Sequence, residues 1–113
     1  MQNGESKRLP ERWDIWLAKV YFDGTDEFKY RPVLVIKPEV CYVLSLGITS
    51  HLPRDCWGEY VIQYWEESGL TKPSTIRCSK IVELEYDDFE KYLGRLHPSD
   101  LYNLQNMLSK GRR

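Results

Sequence analysis

Arg31, Thr49, Ser50, His51, Arg77 and Ser79 are the side chains whose type and place in the chain suit chemistry. Arg31 stands before Pro32-Val33-Leu34-Val35-Ile36, an aliphatic run that reads as a strand covered on both faces. Pro32 cannot donate a ladder hydrogen bond, so it belongs at the first residue of that strand, and it drives Arg31 into extended geometry. A guanidinium held there offers a planar fork of donors to an anion, and phosphate is the best geometric match. Thr49, Ser50 and His51 close the next apolar run and put two hydroxyls and an imidazole at a strand end. Arg77 and Ser79 face one side of a later strand if its alternation is simple. Two arginines and a hydroxyl beside one pocket suit a phosphodiester, whose transition state spreads negative charge. The competing reading is structural. In it Arg31 pairs with Asp23, Asp26 or Glu27 of the preceding loop, and Thr49 and Ser50 only bond to a turn backbone. Phe28 and Tyr30 of that loop either cap the core or stack on a base.

These groups need a scaffold, and the hydrophobic pattern supplies mostly strands. Residues 14–22 (DIWLAKVYF) alternate, with Ile15, Leu17 and Lys19 on one side and Trp16, Ala18, Val20 and Phe22 on the other. Residues 41–48 (CYVLSLGI) follow a Lys37-Pro38-Glu39 turn, so the second and third strands pair antiparallel. Alternation over 59–65 (EYVIQYW) predicts a half-exposed fourth strand, and 74–84 (STIRCSKIVEL) a fifth with a bulge or a break near Ser79-Lys80. Residues 87–90 suit a helical turn, and Gly94 marks a short strand or a close backbone approach. Ser99 reads as the N-cap of a C-terminal helix in which Leu101, Leu104, Met107 and Leu108 form an apolar stripe. The fold class is therefore mainly β with a C-terminal helix, a small, strongly bent barrel.

The 113 residues have room for one domain, residues 1–113, with 1–11 read as a flexible tail. A net charge of −1 gives no global pull toward a polyanion, so any nucleic acid must meet a local patch. Cys41, Cys56 and Cys78 are odd in number and lack metal-ligand spacing, which points to the reducing cytoplasm and to no cofactor. No apolar run approaches a membrane span. Nucleophile-elbow, phosphate-loop, dinucleotide and zinc-protease motifs are all missing from the sequence.

Taken in order, the blocks DIWLAKVYF, RPVLVI, a strand ending in ITS, GLTKPSTIRCSKI, LGRL and a final amphipathic helix resemble the MazF/PemK (Kid) toxins of type II toxin–antitoxin systems. The likeness spans residues 13–110, nearly the whole chain. It implies an SH3-like barrel that forms a homodimer and cleaves single-stranded RNA without metal. It places catalysis on Arg31 and Thr49, and substrate contacts on Asp26, Tyr30, Ser50, His51, Arg77 and Ser79. Ser79 stands where the Kid-like branch has an Asp, and Lys29 and Asp26-Glu27 replace the family's Gly and Glu-Gln, leaving Asp26, Glu27 and His51 as available bases. The implied partner is an antitoxin whose acidic, disordered segment folds over a groove containing Phe28, Tyr30, Trp57, Arg31 and Arg77. The alternative is a barrel without catalysis that binds nucleic acid or poisons DNA gyrase, as the CcdB toxins do.

Overall fold

The computed structural model describes residues 8–22 and 24–111. Within them, β1 (Asp14–Tyr21), β2 (Phe28–Pro38), β3 (Val43–Thr49), β4 (Glu59–Val61), β5 (Thr75–Leu84) and β6 (Phe89–Arg95) form one antiparallel sheet. A 3-10 turn, Tyr86–Asp88, joins β5 to β6, and α1 (Pro98–Gly111) follows. The strand order is β4-β5-β3-β2-β1-β6. Since β4 and β6 lie at opposite margins, the mainly β class with a C-terminal helix holds while the sheet is open rather than closed into a barrel. Among the described residues, no helix is long and apolar enough to cross a membrane.

The alternation of β1 divides the apolar residues between two cores, one on each face. Ile15, Leu34, Leu46, Ile48 and Ile76 pack under α1, whose Leu104 is fully buried with Leu101, Met107 and Leu108 beside it. Trp16, Ala18, Val33, Val35, Val43 and Leu84 fill the other face. There the rings of Phe89 and Tyr92 meet Trp16 edge to face at centroid distances of 5.7 and 5.6 Å and pack β6 against the second core.

Pro32 lies fifth in β2 rather than first. It is tolerated because the ladder to β3 begins at Val33, so Pro32 has a strand partner on one side only, Leu17 of β1. Phe28 and Tyr30 open β2 instead of sitting in a loop, and both rings are exposed. The fourth strand stops at Val61, short of the expected 65. Asp100, buried in the first turn of α1, accepts the Gln63 and Tyr64 amides at 3.0 and 2.9 Å and the Tyr60 hydroxyl at 2.6 Å. With two amides committed to a carboxylate, the ladder cannot continue, and residues 62–70 turn instead.

That turning segment crosses β6 at a pair of glycines. A Cβ on Gly94 would lie 2.4 Å from the Ser68 carbonyl oxygen, and one on Gly69, at φ +91°, would lie 1.9 Å from that of Leu93. The close approach expected at Gly94 is therefore present and requires both glycines. His97, not Ser99, caps α1: its Nδ1 accepts the Ser99 amide at 3.1 Å, and its ring stacks on Tyr64 at 4.1 Å. Residues 8–11, expected in the flexible tail, are held against the sheet, with the Arg8 guanidinium 3.8 Å above the Tyr92 ring and Pro10 buried. The rest of that expected tail, residues 1–7, lies outside the described residues. Trp13 takes φ 74°, a left-handed conformation costing of the order of 1–3 kcal/mol. It is fixed from both sides, its amide donating to the Val35 carbonyl at 2.7 Å and its carbonyl accepting the Leu96 amide at 3.0 Å.

Candidate functional site

The β2–β3 ladder runs from Pro38↔Val43 to Val33↔Gly47 and stops there. Pro32, next in β2, has no amide with which to extend it. β2 continues along β1 and β3 along β5, so the two strands part. Arg31 and Thr49 stand on the two arms of this fork. Beside it, Val33, Gly47, Arg77 and Glu59 lie abreast across β2, β3, β5 and β4. Gly47 has no side chain, so Val33 and Arg77 flank bare backbone. A Cβ at Gly47 would meet the flexible Lys80 side chain at 3.4 Å and no backbone.

Two hollows meet at the fork. The first, about 640 Å³, is lined by Arg31, Thr49, Gly47, Arg77, Ser79 and Lys80, and Tyr21, Phe22, Glu83 and Asp88 also border it. The second, about 420 Å³, is lined by Arg31, Thr49, Lys29, Tyr30, Ser50, His51, Lys72 and Ser74. Arg31, Pro32, Ile48 and Thr49 line both. Three cations and no carboxylate line the second hollow, so an anionic chain laid there meets a field of one sign.

Thr49 is almost completely buried, and its hydroxyl is fixed locally. Oγ1 accepts the His51 amide at 3.1 Å and lies 3.1 Å from His51 Nδ1, so the imidazole is tied to the fork threonine. Arg77 is cross-strand from Glu59, with Nε 3.7 Å from Oε2. The Glu59 side chain is only 2% exposed and is bound by Arg54, whose Nη2 and amide donate to Oε2 and Oε1 at 2.9 and 3.0 Å. Those hydrogen bonds hold the Glu59 carboxyl below the usual carboxylate range.

The structure brings together Arg31, Thr49, Ser50, His51, Arg77 and Ser79, although in two adjoining hollows rather than one. Tyr30 lines the second, but alternation turns it to the sheet face of Leu34, opposite Arg31. Asp26 is exposed and lines neither hollow, nor does Glu27. Simple alternation does not carry Ser79 to the side of Arg77. A bulge between Arg77 and Ile81, where β5 spends four residues against one step of β3, swings Ser79 and Lys80 to the groove. Among the described residues Arg31 forms no ion pair, with Asp26 and Glu27 included; Asp23 lies outside them. Sequence reasoning missed Lys29, Lys72 and Lys80 as lining cations. For Lys80 a signal existed, the bulge-prone Ser79-Lys80 opposite a lone glycine in an apolar strand.

Comparison with known proteins agrees with this architecture. An endoribonuclease from Mycobacterial species superposes with a TM-score of 0.68 at 16% identity, over 94% of this chain and 93% of the other. The Mycobacterium tuberculosis toxin MazF-mt6 gives a TM-score of 0.67 at 24% identity, over 86% and 93%. A Mycobacterial endoribonuclease in complex with its cognate antitoxin gives 0.69 at 16% identity, over 89% and 92%. No curated protein sequence matches. At these identities the superpositions establish a common fold. The sequence itself matches the family model of PemK-like, MazF-like toxins over residues 11–111, from just before β1 to the end of α1. With nine-tenths of its length and every strand of its sheet inside that match, the chain belongs to the PemK-like, MazF-like toxins of type II toxin–antitoxin systems.

Proposed function

We propose that this chain is a toxin that cleaves single-stranded RNA without a metal ion, with the scissile phosphate seated over the fork between β2 and β3. The observation carrying this reading is the convergence of Arg31 and Thr49 on the one place where both hollows meet. Arg31, Pro32, Ile48 and Thr49 wall both hollows, so an RNA strand lying in both passes beside them. The names of the superposed endoribonucleases support the same reaction class.

The chemistry asked of the site is an internal transfer. The ribose 2′ oxygen attacks phosphorus, the O2′–P bond forms and the P–O5′ bond breaks, giving a cyclic phosphate and a 5′-hydroxyl end. Arg31 offers its donors to the equatorial oxygens as charge grows on them. Thr49 orients the phosphate. Of Asp26, Glu27 and His51, only His51 lines the groove, so it is the group that accepts the 2′ proton. The departing 5′ oxygen takes its proton from water at the open groove. Arg77 and Lys80 hold the strand in the first hollow, and Lys29 and Lys72 hold it in the second, while Tyr30, Ser50 and Ser79 complete the walls.

The chain works in this reading as a cytoplasmic homodimer. An antitoxin with an acidic segment silences it by filling the cationic second hollow. The test is incubation of the purified protein with a long single-stranded RNA in EDTA. Cleavage to 5′-hydroxyl ends is expected, with Arg31→Ala and Thr49→Ala each slowing it by about 100-fold or more while the fold is retained. Intact RNA together with gyrase trapped on cleaved DNA would replace this reading with that of a gyrase poison.

A further inference from the structure

Arg54 lies outside both hollows, on the segment between β3 and β4, with about half of its side chain in solvent. Its amide and its Nη2 occupy the two oxygens of Glu59. Arg77, directly opposite Glu59 on the paired strand, is the natural partner for that carboxylate. It reaches that carboxylate only as a looser ion pair. Arg77 Nε stays 3.7 Å from Oε2, buried and without a hydrogen-bond partner. An arginine and a glutamate facing each other across a sheet would ordinarily close into a bidentate pair. Here a second arginine, from outside the groove, holds one hydrogen bond on each oxygen of that carboxylate.

We propose that Arg54 is a positioning residue: by occupying Glu59, it keeps Arg77 out of a closed ion pair and directs its charge to a phosphate of RNA in the first hollow. The inference rests on the ribonuclease reading and adds a residue that touches no substrate. Without Arg54, the Glu59 carboxylate loses its hydrogen-bonded cation, and Arg77, 3.7 Å away, is the cation already paired with it. The guanidinium then turns inward, and the groove loses one phosphate contact.

The experiment measures binding of a fluorescent, noncleavable RNA analogue with 2′-O-methyl ribose, and KM and kcat on cleavable RNA, for the full-length protein. Arg54→Ala is expected to weaken binding and raise KM roughly tenfold, the size of one diverted charge-assisted contact, with a smaller change in kcat. Adding Glu59→Gln to Arg54→Ala removes the competing charge and is expected to restore binding to within about twofold of wild type. In an Arg77→Ala background, Arg54→Ala is expected to have no further effect. A double variant as weak as Arg54→Ala alone would overturn the proposal, because the loss would then come from a disturbed segment. So would an Arg54→Ala variant equal to wild type in a protein that cleaves RNA, with the ribonuclease reading left standing. A wild-type protein that neither binds nor cleaves RNA overturns both.

Discussion

Replacing Asp100 with alanine tests the tie between α1 and the segment that ended β4 early. The carboxylate accepts three hydrogen bonds, from the Tyr60 hydroxyl and the Gln63 and Tyr64 amides. Burial and this carboxylate hold the Tyr60 phenol well above its usual range, so it remains a donor throughout any practical pH. A hydrogen bond to a charged acceptor contributes about 1.5–3 kcal/mol net, and the partly exposed Tyr64 site can recover water, so the loss is about 3–5 kcal/mol. For a domain near this size, with about 4 °C per kcal/mol, that is a fall in Tm of about 12–20 °C. Asp100→Asn keeps an acceptor oxygen but turns an NH2 group toward one amide, for a loss of about 2 kcal/mol. Thermal melts by circular dichroism and urea titrations read both variants. Leu70, Thr71, Lys72 and Ser74, which wall the second hollow, follow the tethered segment, so Asp100→Ala is also expected to weaken RNA binding below the melt. A Tm drop under about 5 °C would refute the reasoning, since water would then be replacing the carboxylate without penalty.

Gly94→Ala and Gly69→Ala each drive a methyl into backbone and are expected to cost more than about 3 kcal/mol, while Gly24→Ala, also at positive φ but in open space, costs about 1 kcal/mol. Urea midpoints rank the three, and equal losses would sink the steric account. Because the Glu59 carboxyl is held low in the fold, its contribution is complete above the unfolded carboxylate value and disappears as pH falls through the lower folded one. Glu59→Gln should therefore flatten the acid-side loss of urea stability, and an unchanged slope would contradict the pairing. Burial, with a smaller push from Glu59, drives the Cys78 thiol up to about 11, so it holds little thiolate near neutrality. Iodoacetamide at about pH 8 should label the exposed Cys41 and Cys56 first and Cys78 only in urea; equal rates by mass spectrometry would disprove the burial argument.

Much of the scaffold was legible because it follows from alternation. β1 sorts Ile15 from Trp16 and Ala18 as the pattern requires, and Leu104 lies at the centre of the helical stripe. Failures came where a distant group decided the local outcome. Residues 62–65 alternate as a strand should, yet the distant Asp100 carboxylate takes the Gln63 and Tyr64 amides. Ser99 has the chemistry of a cap, but stacking on Tyr64 puts His97 in that place. At the site, Arg31 and Thr49 were visible from the residues bounding two apolar runs. The fork between them was not, since it depends on which ladder Pro32 interrupts. Asp26 has the right chemistry and stands outside both hollows.

Trp13 joins three parts of the molecule through its backbone alone, reaching β2 through Val35 and the β6–α1 junction through Leu96. A helix docked only by side chains can fray while the strands persist. Here the Leu96 amide is bonded to the carbonyl of the left-handed residue whose own amide is held by β2. Hydrogen exchange at Leu96 should consequently be slow, following the opening of the sheet rather than the fraying of α1.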